Sequence, residues 1–252
     1  MKKLKRKKMG RPPRSDIDRC QTAYWAQKVR EMTGLTFAEI ERTLDPDCAV
    51  LREDKGGYNQ PQLWRKYGAG SVSPIGNGRS NKIKPTAVEL IEQIAPDSKA
   101  LYNSVLWSVL RMRKISVSVG KLYCEKIDVK VARILMTNSP LAHSSWTAVL
   151  KLDSEAMKAL EYITHIDVMA IFLLHMKCAP WTSYRSIVEA SLRWMKMMTE
   201  CDPAFAVIEP KFTSVLKDYE RWFRLQRVNL DLGVGRTSLP PKKSHLFFWP
   251  RP

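Results

Sequence analysis

The spacing of apolar residues along the chain predicts helices almost throughout. In the N-terminal half, apolar side chains recur every three or four residues, which places them on one face of a helix, in segments at about 15–33, 36–44, 61–67, 85–94 and 97–110. The second half is more apolar and predicts helices at about 120–136, 153–177, 181–200 and 210–229. The pattern therefore predicts an all-α fold.

Local signals mark several helix ends. Thr36 followed by Glu39 has the spacing of a capping box, and Gly34 supplies a stop for the helix before it. We place further boundaries at Asp97, Asp153, Pro180 and Pro210. Residues 115–119 alternate between apolar and polar like a strand, but so short a segment cannot form a sheet alone.

Composition divides the chain into four parts. Residues 1–14 carry eight basic and no acidic side chains, which predicts a flexible basic arm. Residues 15–114 are expected to form a helix-turn-helix-like bundle, and residues 115–239 a helical domain for oligomerisation or partner binding. Residues 240–252 form a C-terminal tail that contains Pro240-Pro241 and the apolar end LFFWPRP.

The charge balance favours a polyanionic partner. The 252 residues include 42 Lys and Arg against 25 Asp and Glu, a formal net charge of +17. Nucleic acid is the commonest partner for such a protein. The longest apolar run, 168–174, is too short to cross a bilayer, so no membrane association is expected. Five widely spaced cysteines fit a reducing compartment, which predicts a cytoplasmic protein.

The N-terminal arm contains a short recognisable motif. Residues 8–14 read KMGRPPR, and Gly-Arg-Pro among basic residues resembles the AT-hook. The resemblance implies that Arg11, with Arg14 beside it, enters the narrow minor groove of A·T-rich DNA, where the negative potential is concentrated. An arm that is merely solvated, or one that contacts any nucleic acid backbone, is the alternative.

The helices between residues 17 and 110 resemble the Cro/C1-type helix-turn-helix domain. The resemblance implies a recognition helix that starts near Gln60 and carries Gln62, Arg65 and Lys66, with Gln suited to adenine and Arg to guanine. The family's turn has three or four residues, whereas residues 45–60 form the connection here. The alternative is a helical bundle in which the helix around Trp64 only packs in the core.

A basic loop follows this helix. Residues 68–84 are rich in Gly, Ser and Asn, and they carry Arg79, Lys82 and Lys84. Backbone amides near glycine and these charges suit contact with phosphates. No Gly-Lys-Ser/Thr follows the glycines, so the loop is not a Walker A motif. A solvated loop without a ligand is the alternative.

Catalytic and metal-binding patterns are weak in this sequence. His175 and Cys178 share one face of a predicted helix, but no second close pair completes a zinc site. No nucleophile elbow surrounds Ser144 or Ser145, and Cys178 lacks a clear third partner for thiol catalysis. We therefore expect no enzyme activity, no metal and no cofactor.

These observations predict a DNA-binding protein, a sequence-specific transcriptional regulator of mobile-element or phage type. The C-terminal half carries a stripe of aromatic and methionine residues between 181 and 223, which is typical of core but also of a homo-oligomer or partner face. The alternative is a non-catalytic interaction or adaptor subunit, of a defence or toxin system, with only non-specific nucleic acid contact. A nucleic acid enzyme whose site the sequence does not reveal is the third possibility.

Overall fold

The protein is all-α, as a computed structural model shows. The structure describes residues 14–45, 51–52, 57–58, 62–75, 85–139, 141–179 and 184–231. For residues 51–52, 57–58, 184 and 222–231 it describes the backbone alone. The predicted all-α class is therefore confirmed for the part of the chain that is described.

Thirteen helices follow one another along the described residues. The first six are α1 (Asp16–Thr33), α2 (Phe37–Leu44), α3 (Leu63–Gly68), α4 (Ala87–Ile91), α5 (Ser98–Tyr102) and α6 (Val105–Arg111). The others are α7 (Val117–Cys124), α8 (Val129–Thr137), α9 (Ser145–Leu150), α10 (Ser154–Glu161), α11 (Asp167–Cys178), α12 (Tyr184–Cys201) and α13 (Pro203–Asp231). Between α2 and α3, strands β1 (Leu51–Arg52) and β2 (Gly57–Tyr58) pair antiparallel.

Helix ends that depend on local signals agree with the prediction. The Thr36 hydroxyl accepts from the amide of Glu39, and the Glu39 carboxylate accepts from the amide of Thr36, which confirms the capping box of α2. Helix α1 ends at Gly34, whose φ of 68° is left-handed. The Asp153 carboxylate caps α10 through the amide of Ala156 at 2.8 Å.

The boundary predicted at Asp97 is confirmed, because α5 begins at Ser98, whereas the boundary predicted at Pro210 is wrong. Asp97 precedes α5, but its side chain makes no capping bond; the carboxylate of Glu92 accepts from the amides of Asp97 and Lys99 instead. Pro210 lies inside α13 rather than at its start, and Pro203 occupies the first helical position. Proline fits that first position because its nitrogen has no hydrogen to leave unpaired.

Residues 115–119 do not form a strand, although their residue types alternate. This segment leads into α7, where the Ser116 hydroxyl accepts from the amide of Val119 and starts the helix. Val117 is 66% exposed, so the alternation of residue types does not reflect alternating burial. The predicted helices 120–136 and 153–177 are each divided, at residues 125–128 and 162–166.

The buried apolar side chains form two clusters. The smaller cluster is built around Trp25, Ile40, Trp64, Ile91 and Tyr102, from helices α1 to α5. The larger cluster includes α6 and runs through α7 to α13, with seven consecutive side chains of α11, 168–174, fully buried. Three residues of the predicted aromatic and methionine stripe, Trp194, Met195 and Met198, lie in this core.

Helix α1 belongs to both clusters. Ile17, Cys20 and Tyr24 lie in the larger cluster, whereas Trp25 and Val29 lie in the smaller one. The clusters meet in sequence between Tyr102 and Val105, so the buried side chains of α6 belong to the larger cluster. Among the described residues, no helix is both long and apolar enough to cross a membrane.

Candidate nucleic-acid interface

Helix α3 is anchored by an aromatic group on its inner side. Trp64 and Tyr67 are both buried, and their rings lie 5.2 Å and 6.0 Å from the ring of Trp25 in α1. Tyr102 completes the group, with its ring 5.5 Å from Trp25. Rings at these separations contribute packing energy beyond their buried area. The packing of Trp64 in the core, which the helical-bundle interpretation predicts, is therefore confirmed.

The first turn of α3 is held by a side chain from α2. Gln62 occupies the N-cap position but makes no side-chain capping bond. The Glu41 carboxylate accepts from the amides of Leu63 at 3.3 Å and Trp64 at 3.2 Å. A carboxylate at this end of a helix satisfies free amide donors. Helix α2 thus fixes the direction of α3 through both packing and this cap.

The outer side of α3 is open to solvent. Gln62, Leu63, Arg65 and Lys66 are all exposed, and Leu63 keeps 45% of its surface. Among the described residues, the side chains of Arg65 and Lys66 have no partner in a hydrogen bond or ion pair. The anchored helix therefore presents two unpaired cations and an amide in a fixed arrangement. We call these four residues the α3 face.

Arg14, the first described residue, lies inside the fold instead of projecting into solvent. Its guanidinium donates to the carbonyl oxygens of Gly70 (3.0 Å), Asp18 (2.9 Å) and Val72, and to the Thr22 hydroxyl at 2.7 Å. A fork of donors suits several acceptors at once. These bonds tie the start of α1 to the loop after α3, so Arg14 has a structural role in the described structure.

The same loop approaches α1 very closely. Gly70 has a φ of 65°, and a Cβ built on it would lie 2.4 Å from the carbonyl oxygen of Arg19. Only glycine fits such a contact between two backbones. Together with the Arg14 bonds, this contact places the end of the basic arm beside the C-terminal end of α3.

Five of the predicted site residues lie outside the described residues. They are Arg11, Gln60, Arg79, Lys82 and Lys84. The structure therefore brings together Arg14, Gln62, Arg65 and Lys66 around α3, and of these only the last three are exposed. Helices α2 and α3 are separated by residues 45–62, far more than the three or four residues of a helix-turn-helix turn.

A second exposed basic surface was missed by the sequence reasoning. It lies on α7 and α8 and consists of Lys121, Lys126, Lys130 and Arg133. Lys130 and Arg133 are three residues apart in α8, the separation of neighbours on one helix face. That spacing is the signal that could have identified the surface before the fold was known.

The titratable groups of α11 serve internal packing. The His175 Nδ1 donates to the carbonyl oxygen of Val149 at 2.7 Å, and burial lowers the pKa of His175. The Lys177 Nζ donates to the carbonyl oxygens of Val109, at 2.5 Å, and Met112. Burial lowers the pKa of Lys177 to about 7 and raises the pKa of the Cys178 thiol.

Neither α11 nor the rest of the described chain gathers metal ligands. No group of three or more His, Cys, Asp or Glu side chains converges within the residues that the structure describes. His175 and Cys178 share a helix but have no third ligand there. Comparison of the chain with protein-family models, with curated proteins and with solved structures finds no match.

Proposed function

We propose that the protein binds duplex DNA through the α3 face and the adjoining basic arm, as a sequence-specific regulator of transcription. The observation that carries the proposal is the exposed, unpaired pair Arg65 and Lys66 on a helix whose inner side is locked by Trp64 and Tyr67. A rigid helix with free cations on one side loses little conformational freedom when it binds.

The residue types of the α3 face suit DNA. Lys66 and Arg65 can neutralise phosphates, which supplies most of the non-specific affinity. Gln62 and Arg65 can also form paired hydrogen bonds with adenine and guanine edges in the major groove. The face therefore combines groups for positioning on the backbone with groups for reading bases.

The position of the arm supports the same function. Residues 1–13 precede Arg14, whose guanidinium bonds the carbonyl oxygen of Gly70 two residues after α3 ends. Thirteen residues span at most about 45 Å when fully extended. An arm that starts at this point reaches the same stretch of DNA as the α3 face.

Charge outside the arm supports the proposal as well. The first 14 residues supply +8 of the net +17, so the remainder still carries +9.

Cys20 and Cys124 are buried free thiols, in keeping with action in the reducing cytoplasm. A second copy bound through the C-terminal half would let the protein match two half-sites.

The test is a DNA-binding titration at several salt concentrations. The double variant R65A/K66A removes two charges from the α3 face, and K196A/K217A removes two exposed charges from α12 and α13 as a matched control. We expect R65A/K66A to weaken binding at least tenfold and to reduce the salt slope, the slope of log K against log salt, by about 2. The control should change the affinity less than threefold.

The outcomes of this titration distinguish binding through the α3 face from binding through total charge or through the arm alone. Equal losses in the two double variants would mean that binding depends on total charge, which contradicts a specific α3 face. Binding that is unchanged in R65A/K66A and absent after removal of residues 1–13 would assign all affinity to the arm. The adaptor function would then be the better explanation, with nucleic acid contact non-specific.

A further inference from the structure

Helices α7 and α8 are joined by a short connection. The helices have 8 and 9 residues, and residues 125–128 join them. The Asp128 carboxylate caps α8 through the amides of Lys130 at 2.8 Å and Val131 at 3.3 Å. The turn is thus as short as in helix-turn-helix units, unlike the connection between α2 and α3.

A buried carboxylate holds this turn in place. Asp167 is 3% exposed and accepts from the amide of Asp128 at 2.9 Å and from the Ser104 hydroxyl at 2.5 Å. Ser104 is itself the N-cap of α6, so the turn is bonded to the larger core. The start of α8 is therefore fixed before any ligand binds.

The inner faces of both helices are already occupied. A Cβ at Gly120 would lie 2.7 Å from the Trp146 ring of α9, so α7 packs against its neighbour with no space left. Val131 and Leu135 of α8 are fully buried. Only the outer faces remain for a ligand.

The outer faces combine positive charge with apolar groups. Lys121, Lys126, Lys130 and Arg133 are exposed, and none of them pairs with an acidic side chain among the described residues. Three apolar side chains share these faces: Val117 is 66% exposed, Leu122 55% and Val129 68%. We call these seven residues the α7–α8 surface.

We propose that the α7–α8 surface docks on duplex DNA and that the outer face of α8 lies in the major groove. The proposal rests on the proposed function, since its ligand is the same DNA, and it adds α8 as a second base-reading helix beside the α3 face. Lys130 and Arg133 are donors suited to guanine, and Val129 is suited to a thymine methyl group. Lys121 and Lys126, on α7 and the turn, are placed to contact phosphates.

The distribution of side chains favours DNA over an anionic membrane. A helix that binds a membrane surface separates its charges from a broad apolar face, which enters the lipid. Here the apolar faces of α7 and α8 are buried in the protein, and Val129 stands on the same outer face as Lys130 and Arg133. Interleaved cations and small apolar groups match the major groove, with its alternating polar atoms and methyl groups.

The experiment is selection of bound sequences from a pool of random 20-base-pair duplexes by the full-length protein, followed by titration of the enriched duplex. Four proteins are compared: the unchanged chain, K130A/R133A, R65A/K66A and the control K196A/K217A. All substituted residues are exposed, so folding should be retained, and circular dichroism checks this. R133K serves as a conservative variant that keeps the charge without the planar fork.

We expect the unchanged chain to enrich a motif and K130A/R133A to lose its preference for that motif by about tenfold or more. R133K should bind random duplex normally yet lose much of the preference, because the bidentate contact needs arginine. R65A/K66A should bind with lower affinity but keep the part of the motif that depends on Lys130 and Arg133.

Other results would overturn the inference. If K130A/R133A enriches the same motif as the unchanged chain with equal affinity, α8 does not read DNA, whatever α3 does. If the unchanged chain enriches no motif, base reading by α8 is wrong, although binding through the α3 face can still be measured. If the chain binds no duplex at all but binds vesicles containing phosphatidylserine, both the proposed function and this inference are wrong.

Discussion

His175 is a buried side chain whose protonation should control stability in mild acid. Its Nδ1 donates to Val149, whereas its Nε2 is buried without a hydrogen-bond partner. Burial lowers the pKa of His175, so the unfolded chain takes up a proton at higher pH than the folded chain does. The contribution of His175 to the free energy of unfolding should therefore be fullest above about pH 7 and should fall as pH drops through the unfolded histidine pKa of about 6.5.

The loss is about 1.4 kcal/mol for each unit by which the pKa is lowered. Urea unfolding of the unchanged chain at pH 7.5, 6.5 and 5.5 measures it. His175→Asn keeps a donor near Val149 and removes the titration, so part of the pH dependence should disappear. His143→Asn is the control because His143 is exposed, and it should keep the original dependence. An unchanged slope in the His175 variant would contradict the prediction.

At this same scale, the sequence predicts which side chains are exposed better than it predicts which residues they contact. Arg14 belongs to a basic run and was expected to contact DNA, yet its guanidinium bonds Gly70 and Thr22. The partners lie 8 and 56 positions away, and charge patterning does not reveal contacts at such separations. Arg65 and Lys66 are predicted on the recognition helix, and both side chains are exposed. Their exposure follows from the spacing of Trp64 and Tyr67, which are three residues apart and face the core.

At the scale of elements, a helix end is predicted accurately when the residues that define it are neighbours in the sequence. Helices α1 and α2 were predicted almost to the residue because Gly34, Thr36 and Glu39 act on neighbouring backbone groups. The break between α7 and α8 was missed because the turn is held by Asp167, 39 positions from Asp128. The cap that Glu41 provides for α3 is likewise non-local.

The contact between α1 and the loop after α3 predicts that two glycines differ in the stability lost when each is replaced by alanine. Gly70 and Gly34 both have left-handed backbones, with φ of 65° and 68°. A Cβ at Gly34 meets nothing within 4 Å, whereas one at Gly70 meets the carbonyl oxygen of Arg19 at 2.4 Å. Gly34→Ala should cost about 1 kcal/mol for the conformation alone. Gly70→Ala should cost about 3 kcal/mol, because the loop must also move away from α1.

Urea unfolding measures both free energies, and hydrogen exchange of the amides of 66–72 locates the change. In Gly70→Ala the exchange of this loop should accelerate, whereas Gly34→Ala should leave it unchanged. Similar losses of stability in the two variants would show that the close approach of the two backbones is not maintained in solution.

At the scale of the whole molecule, α1 links the two cores. Its side chains enter both clusters, and α13 packs along it. Asp202 joins these two helices: it is 3% exposed, accepts from the Tyr24 hydroxyl at 3.0 Å and lies 3.3 Å from the Lys28 Nζ. The same carboxylate caps α13 through the amides of Ala204 and Phe205. One side chain thus ties α13 to α1, the helix that enters both clusters.

This arrangement predicts that the two clusters unfold together and that Asp202 supports both. Asp202→Ala leaves the buried Tyr24 hydroxyl unpaired, leaves Lys28 with Glu31 alone as its ionic partner and removes a helix cap, so we expect a loss of about 3 kcal/mol. Asp202→Asn keeps the cap and should lose about half as much. Asp153→Ala, which removes only an exposed cap, should cost about 1 kcal/mol.

Native-state hydrogen exchange distinguishes cooperative from independent unfolding of the clusters. Amides of α3 report the smaller cluster and amides of α11 report the larger one. Because α1 cannot leave one cluster without disturbing the other, Asp202→Ala should lower the opening free energy of both sets by similar amounts. A fall confined to α11, with α3 unchanged, would show that the clusters unfold separately and that α1 does not couple them.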